Sequence, residues 1–160
     1  MRNRFGQLIA ESMKNDPRIW LLTGDLGFGV LNKARSTVPN RSYNVGAAEQ
    51  LMVGAAVGLT HNNKIPVCYS ITPFVIFRPY EWLRNYLNHE STPVKLVGSG
   101  RDKDYSHDGI SHWAHDDEQV LSALPNIVIY KPTSLDELKR IWPEFINNKQ
   151  PAYLNLVRKI

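Results

Sequence analysis

The sequence predicts a three-layer α/β domain, in which helices cover both faces of a mostly parallel six-stranded sheet. Six short apolar segments alternate with helical segments along the chain, and several, such as 127–130, are apolar on both faces. Strands that alternate with helices form parallel sheets, and strands that are apolar on both faces lie buried between two layers. The 160 residues fit a single domain, which we expect to span 1–160.

The predicted strands are short segments rich in β-branched and aromatic residues. In chain order they are 18–23, 41–45, 65–70, 94–98, 127–131 and 152–157. The predicted helices are 2–15, 47–60, 74–88, 116–124 and 133–147. Asp16-Pro17 ends the first helix, and Thr133 or Ser134 caps the last, with Glu137 placed to complete a capping box.

Two polar stretches, 24–40 and 99–115, are predicted to be long loops at strand ends, where open α/β sheets bind ligands. The apolar runs are too short to span a membrane, and the N-terminus does not resemble a signal peptide. Cys68, the single cysteine, lies in an apolar run and is predicted to be a buried, inert thiol. We therefore expect a cytoplasmic protein that does not enter a membrane.

The formal charge is 19 − 15 = +4, but the basic residues are scattered and form no run of five. Without a recognised binding motif, this charge does not predict nucleic-acid binding. Arg2, Arg4, Arg35 and Arg41 are predicted to be mostly solvated surface residues.

Residues 46–58 form the most informative segment, because seven of its thirteen residues are Gly or Ala and one polar pair, Glu49-Gln50, interrupts it. Small residues allow a helix to approach another backbone closely. A carboxylate in such surroundings is costly unless it has a partner, which points to a functional group. The alternative is an exposed glutamate that the N-terminus of the helix stabilises.

The segment Asn44-Val45-Gly46-Ala47-Ala48-Glu49-Gln50-Leu51-Met52-Val53-Gly54-Ala55-Ala56 resembles N-V-G-I-A-E-Q-x-M-V-G-x-A of the transketolase family, which lies in its pyrimidine-binding domain. Further segments match that family in the same order. They are Arg4-Phe5-Gly6, Asp16-Pro17-Arg18, Gly24-Asp25-Leu26-Gly27, Arg78-Pro79-Tyr80-Glu81-Trp82-Leu83-Arg84-Asn85, Asp108-Gly109-Ile110-Ser111-His112 and Ala123-Leu124-Pro125-Asn126. The resemblance covers about residues 2–158.

This resemblance implies that Glu49 is the acid that activates thiamine diphosphate. In the family, the glutamate hydrogen-bonds N1′ of the aminopyrimidine, so that the cofactor can form its carbanion nucleophile. The resemblance also implies that Phe74 and Phe77 line the aminopyrimidine pocket. The family usually has additional residues before its arginine, so Tyr80 is an alternative for one of these rings. Core packing is the other interpretation of Phe74 and Phe77, which share a helix face.

The resemblance places Asp25 near the thiazolium ring, with a turn or capping role as the alternative. At the substrate end, Asp108 and His112 match the family's D-G-x-x-H pattern, whose side chains face substrate hydroxyls. His112 is therefore also a catalytic candidate. A metal site is the alternative because histidines cluster here, but their spacing matches no standard zinc pattern, and we expect no metal ligands.

Two arginines complete the predicted substrate site. Transketolases carry a histidine where this chain has Gly100, whereas deoxyxylulose-phosphate synthases carry an arginine that corresponds to Arg101. Arg158 resembles the strand-end arginine that contacts a substrate phosphate. Both are predicted to bind substrate, with a surface role as the alternative.

The resemblance also implies that half of the cofactor site is elsewhere. The family's diphosphate-binding domain carries a G-D-G motif, and Gly24-Asp25-Leu26 does not match it. We expect neither that domain nor the transketolase C-terminal domain in this chain, and expect a separate subunit to bind the diphosphate and Mg²⁺. Self-association across a two-fold axis, giving an α₂β₂ heterotetramer, is expected.

The expected function is therefore that of the pyrimidine-binding subunit of a split enzyme of carbohydrate metabolism, which transfers a two-carbon ketol unit between phosphorylated or otherwise modified sugars. A decarboxylating relative, similar to deoxyxylulose-phosphate synthase or to a 2-oxo-acid enzyme, is the second hypothesis, and Arg101 favours it. A non-catalytic assembly subunit is the third.

Overall fold

The computed structural model, which describes residues 1–158, contains one six-stranded sheet. Its strands are β1 Ile19–Thr23, β2 Ser42–Asn44, β3 Ile65–Ile71, β4 Lys95–Ser99, β5 Val128–Tyr130 and β6 Ala152–Leu156. They lie in the order β2-β1-β3-β4-β6-β5, and every neighbouring pair is parallel. The predicted fold class is confirmed, and each strand begins and ends within one residue of its predicted bounds.

Seven α-helices connect or flank the strands in the described part of the chain. They are α1 Arg2–Asn15, α2 Asn32–Thr37, α3 Glu49–Thr60, α4 Thr72–Phe77, α5 Tyr80–Trp82, α6 Asp117–Leu121 and α7 Leu135–Asn147. A π-helical segment, Leu83–His89, follows α5 directly. Ser134 caps α7 by accepting a hydrogen bond from the Glu137 N–H, as the sequence predicts.

Three predicted elements are wrong in part. The single helix predicted for 74–88 is divided, because Pro79 has no N–H for a helical hydrogen bond and its ring opposes the preceding turn. Arg78 and Pro79 therefore form a junction between α4 and α5. The loop predicted for 24–40 contains the short helix α2, and 3-10 turns interrupt the loop predicted for 99–115.

Each face of the sheet has its own hydrophobic core. Phe5, Met13 and Trp142 pack from α1 and α7 on one face. Met52 and Val57 of α3 contribute to the core on the other face, together with side chains of α4 and α6. Within residues 1–158, no helix combines the length and the apolar character that crossing a membrane requires.

The prediction that four early arginines are solvated is wrong for three of them. Arg41 donates hydrogen bonds to the carbonyl oxygens of Met13, Asp16 and Ile19, and so ties the end of α1 to β1. The Arg35 guanidinium donates to the Thr23 hydroxyl and the Leu26 carbonyl. Arg2, the third, donates to the Tyr105 hydroxyl. These half-buried cations satisfy oxygen acceptors, which is a tertiary role that the composition of a segment cannot indicate.

The strand order places a switch point between β1 and β3, because the chain passes from β1 to β2 on one side and to β3 on the other. Open parallel sheets bind ligands at the carboxyl ends of strands beside such a point. Gly24 follows β1, Ser70 lies near the end of β3, and Glu49 begins α3 after β2. These three residues therefore meet at one edge of the sheet.

Candidate functional site

Glu49 is a buried carboxylate at the centre of this edge. It is the first residue of α3, and only 1% of its surface is exposed. Its Oε1 accepts a hydrogen bond of 2.6 Å from the Ser70 hydroxyl, and its Oε2 forms an ion pair of 2.7 Å with Arg78 Nη1. A buried charge needs such donors, so the carboxylate is held in one orientation.

Gly24 forms the wall next to this carboxylate. A Cβ atom at Gly24 would lie 2.6 Å from Glu49 Oε1, which is too close for the two atoms to coexist without a shift. The backbone of the loop after β1 can therefore approach Glu49 only because residue 24 is glycine. The sequence alternative of an exposed helix-terminal glutamate is wrong, since Glu49 is enclosed.

Phe74 and His112 extend the site away from Glu49. The Arg78 guanidinium lies over the Phe74 ring, with its Cζ 3.6 Å from the ring centroid. On Phe74, His112 packs edge-on at a centroid distance of 4.8 Å. The structure therefore brings Glu49, Phe74 and His112, three of the predicted site residues, into one contiguous group through Arg78.

Phe77 and Tyr80 lie on different surfaces. Phe77 is 39% exposed and lines an open pocket of about 350 Å³ with Phe74, Ile110 and Trp113. Tyr80 instead packs against the hydrophobic core on the α3 side of the sheet. Of the two, Phe77 is thus the one that shares a pocket with Phe74.

Asp25 lies in the turn that follows Gly24. Its backbone adopts φ of 49°, in the left-handed region that Asp tolerates better than most residues. The Asp25 N–H donates to Asn44 Oδ1, and Asn44 Nδ2 donates to Asp25 Oδ1. Asn44 therefore joins the loop after β1 to the end of β2, and both loops border Glu49.

Asp108 and His112 lie on two consecutive 3-10 turns that Gly109 separates, with φ of 76°. Nδ1 of His112 is 3.0 Å from the Ser111 hydroxyl, whereas the Asp108 side chain is exposed. The His112 ring is 6.2 Å from the Tyr105 ring, centroid to centroid. This contact connects the Glu49 group to a second polar cluster.

That second cluster consists of Arg2, Ser99, Tyr105 and Arg158. The Tyr105 hydroxyl is 2.9 Å from Ser99 Oγ and accepts a 3.3 Å hydrogen bond from Arg2 Nη1. The Arg158 Cζ lies 4.6 Å from the centroid of the Tyr105 ring. Among residues 1–158, neither guanidinium is paired with a carboxylate. Two cations thus contact one tyrosine, and the nearby Asp104 carboxylate accepts a 2.8 Å hydrogen bond from the Arg158 backbone N–H.

Arg101 is placed differently from Arg158. Its Nε donates to Asn155 Oδ1 at 2.8 Å, and its Nη2 donates to the carbonyl oxygens of Asn155 and Pro132. Asn155 in turn donates to the buried carboxylate of Asp117, which also accepts a hydrogen bond from the Tyr153 hydroxyl. Arg101 therefore anchors its loop to β6 by contacts within the chain.

Sequence reasoning missed four residues that build the site: Arg2, Gly24, Ser70 and Arg78. Gly24 and Arg78 lie in matched motifs, which marked the segments but not these contacts. Ser70 was detectable only as a polar residue at the end of an apolar strand. Within the described residues, no cluster of three or more His, Cys, Asp or Glu side chains is arranged to hold a metal ion.

Comparisons with known proteins agree with this geometry. The family described as "Transketolase, pyrimidine binding domain" matches residues 1–160. The 6-deoxy-6-sulfo-D-fructose transketolase subunit SqwH of Clostridium sp. (strain MSTE9) is 28% identical over 160 residues, which are 99% of this chain and 50% of that protein. A subunit of the apulose-4-phosphate transketolase of Actinobacillus succinogenes is 36% identical over 118 residues, which are 74% of this chain and 38% of that protein.

A solved structure described as "Split gene transketolase, inactive beta4 tetramer" superimposes with a TM-score of 0.85 at 28% identity. The match covers 98% of this chain and 50% of that one. The chain therefore spans half or less of the length of these relatives.

Proposed function

The chain belongs to the transketolase family through its pyrimidine-binding domain, and on this premise we propose that it supplies the pyrimidine half of a thiamine-diphosphate site. The observation that carries the proposal is the buried Glu49 carboxylate, which is paired with Arg78, whose guanidinium lies over the Phe74 ring. Glu49 is the acid in this proposal, and its hydrogen bond from Ser70 keeps it in place.

The residues around Glu49 fit an aminopyrimidine. Such a ring needs one carboxylate oxygen for its ring nitrogen and an apolar face for its π-system. Glu49 and Phe74 offer these two groups, and Phe77 lines the same pocket as Phe74. Asp25, in the neighbouring turn, is proposed to face the thiazolium end, and Tyr80 supports the site from the core.

When bound, thiamine diphosphate supplies the nucleophilic carbon for the transfer of a ketol unit. We propose that a separate subunit completes the site by holding the diphosphate and Mg²⁺, so that Glu49 contributes only in the assembly. The names of the split-gene structure and of the two transketolase subunits support a divided enzyme. An α₂β₂ heterotetramer is the stoichiometry that we propose.

The substrate end is proposed to accept a sugar with an anionic group. Arg2 and Arg158 present two guanidinium groups without carboxylate partners in the described chain, which suits a phosphate or a sulfonate. His112, which packs on Phe74, and Asp108, in the preceding 3-10 turn, are proposed to bind hydroxyl groups. The names of the two relatives include a sulfonated and a phosphorylated sugar.

Arg101 is the residue that favoured the decarboxylating alternative. Its guanidinium donates to Asn155 and Pro132, which supports a role in anchoring its loop rather than in binding substrate. A non-catalytic subunit would have no need for an enclosed carboxylate that costs stability, and Glu49 is such a group. Ketol transfer is therefore the function that we propose.

The decisive experiment replaces Glu49 by Gln in the complex with the diphosphate-binding subunit. Gln cannot share a proton with the pyrimidine, so we expect turnover with ketose donors, thiamine diphosphate and Mg²⁺ to fall at least about a hundredfold. Glu11→Gln, an exposed change on α1, serves as the matched control. Turnover near that of the wild type in Glu49→Gln would reject the assignment and favour an assembly role.

A further inference from the structure

Arg78 is a charged side chain beside Glu49 to which the proposed function gives no role. It lies at the junction between α4 and α5, and 42% of its side chain is exposed. It nevertheless touches the two most important groups of the site: its Nη1 is 2.7 Å from Glu49 Oε2, and its Cζ is 3.6 Å from the Phe74 ring centroid.

The guanidinium offers the same chemistry as the aminopyrimidine that the site is proposed to bind. Both groups are flat π-systems, and each can present an N–H to a carboxylate while its face rests on an aromatic ring. On this side of the site, Glu49 and Phe74 can each contact only one such planar group at a time. The contacts that Arg78 makes are therefore contacts that a bound pyrimidine would need.

Few other groups of the described chain can donate a hydrogen bond to the Glu49 carboxylate. Gly24 and Ser70 enclose Oε1, and the carboxylate has no exposed surface of its own. Arg78 is thus the partner on the side of Glu49 that leads out towards solvent. Without a ligand, losing this partner would leave a buried charge with one hydrogen bond from a hydroxyl, which is unfavourable.

We propose that Arg78 is a plug that occupies the pyrimidine position in the free chain and withdraws when the cofactor binds. This inference rests on the proposed function, because it takes the ligand of Glu49 to be an aminopyrimidine. The half-exposed position of Arg78 favours withdrawal, since the guanidinium can turn into water without burying its charge. The plug stabilises the free subunit and weakens cofactor binding.

The test compares Arg78→Met with wild type in the complex with the diphosphate-binding subunit. Met keeps an unbranched side chain over Phe74 and removes the competing N–H groups. We expect the Kd for thiamine diphosphate at fixed Mg²⁺, measured by calorimetry, to fall about three- to thirtyfold. The reason is that the cofactor no longer has to displace a guanidinium from Glu49 and Phe74 before it binds. Arg84→Met, a change at an exposed arginine after the same junction, is expected to leave the Kd unchanged.

A second measurement uses the free chain. The plug predicts that the effects of Arg78→Met and Glu49→Gln on the urea midpoint are non-additive, since each substitution removes the same contact. If Arg78→Met folds poorly, Arg78→Lys keeps a positive charge near Glu49 but loses the planar face, and we expect a smaller fall in Kd in the same direction.

The outcomes separate this inference from the function on which it rests. A Kd that rises or does not change in Arg78→Met rejects the plug, and the role of Glu49 stands if Glu49→Gln is still inactive. Additive effects on the urea midpoint also reject the plug. A wild-type complex that binds no thiamine diphosphate rejects the proposed function, and the plug is rejected with it.

Discussion

At the scale of single residues, the charged groups of the site differ in how many of their hydrogen-bonding atoms have a partner. Both oxygens of Glu49 accept strong hydrogen bonds, whereas Arg2 donates to one neutral hydroxyl within residues 1–158. A guanidinium carries five donors in a planar fork, so most of the donors of Arg2 are left for another acceptor. The same reasoning applies to Arg158, which lies over Tyr105.

This difference leads to a prediction for Arg2→Gln in the assembled enzyme. We expect KM for a phosphorylated sugar to rise about ten- to hundredfold with a smaller change in kcat, because the lost charge binds a part of the substrate that does not react. Steady-state kinetics would measure both constants. Arg4→Gln, whose guanidinium donates only to Gln7 in the described chain, is the control.

An equal rise in KM for an unphosphorylated sugar would contradict the role of Arg2. Such a result would mean that the substitution disturbs the loop around Tyr105 rather than an anion-binding position.

At the scale of elements, buried polar side chains hold loops to the sheet. Lys95, the first residue of β4, is 1% exposed, and its Nζ donates to the carbonyl oxygens of Asn148 and Gln150 at 2.5 and 2.6 Å. It thereby ties the connection between α7 and β6 to β4. Burial lowers the pKa of Lys95 from 10.5 to about 8, because the ammonium loses hydration that two carbonyls replace only in part.

The lowered pKa predicts a pH dependence of stability. Between pH 8 and 10.5, the unfolded chain binds a proton on Lys95 that the folded chain has released, so the free energy of unfolding rises with pH. The stabilisation is complete above the pKa of Lys95 in the unfolded chain, and it is lost as pH falls through the pKa of Lys95 in the folded chain. Relative to Lys95→Met, wild type should gain on the order of 2 kcal/mol between pH 8 and about 10.

Urea unfolding at several pH values would measure this gain. Lys149→Met, which alters an exposed lysine in the same connection, should keep the full pH dependence of wild type. A parallel pH profile for wild type and Lys95→Met would contradict the predicted titration of Lys95.

At the scale of the whole molecule, three large apolar side chains are exposed in segments that follow the carboxyl ends of strands, the end of the sheet that carries Glu49. Phe28 follows β1 and is 69% exposed, Leu51 lies in the first turn of α3 at 62%, and Ile110 follows β4 at 70%. Large apolar groups exposed together mark an interaction surface. The proposed diphosphate-binding subunit must approach this same edge to complete the cofactor site.

We therefore predict that the double substitution Phe28→Ser and Ile110→Ser weakens association with the diphosphate-binding subunit at least about tenfold, since it removes two exposed anchors. Because both side chains are mostly in water in the free chain, its urea midpoint should hardly change. Sedimentation or calorimetric titration would measure the affinity. Ile129→Ser on the edge strand β5 is the control.

Association that is as tight as wild type in the double variant would place the subunit interface on another surface. The diphosphate-binding subunit would then have to complete the cofactor site from a different direction.

Much of the fold was predictable because its determinants are local. The strands of the sheet are short apolar segments bounded by polar residues, and the Ser134 cap depends on residues within three positions of it. Cys68 was correctly predicted to be buried, and burial raises the pKa of its thiol. Helix α2 was missed because its six residues, from Asn32 to Thr37, have no apolar periodicity.

The sequence by itself determined the parallel sheet and the family resemblance and singled out Glu49 as a candidate, since periodicity, motif order and a lone carboxylate among small residues can all be recognised along the chain. Only the tertiary structure decided what Glu49 touches. Ser70 and Arg78 are 21 and 29 residues away from it in sequence, and they reach it because β2 and β3 end at the same edge of the sheet. Hydrogen bonds act over about 3 Å, so partners distant along the chain are set by strand order and not by any local pattern.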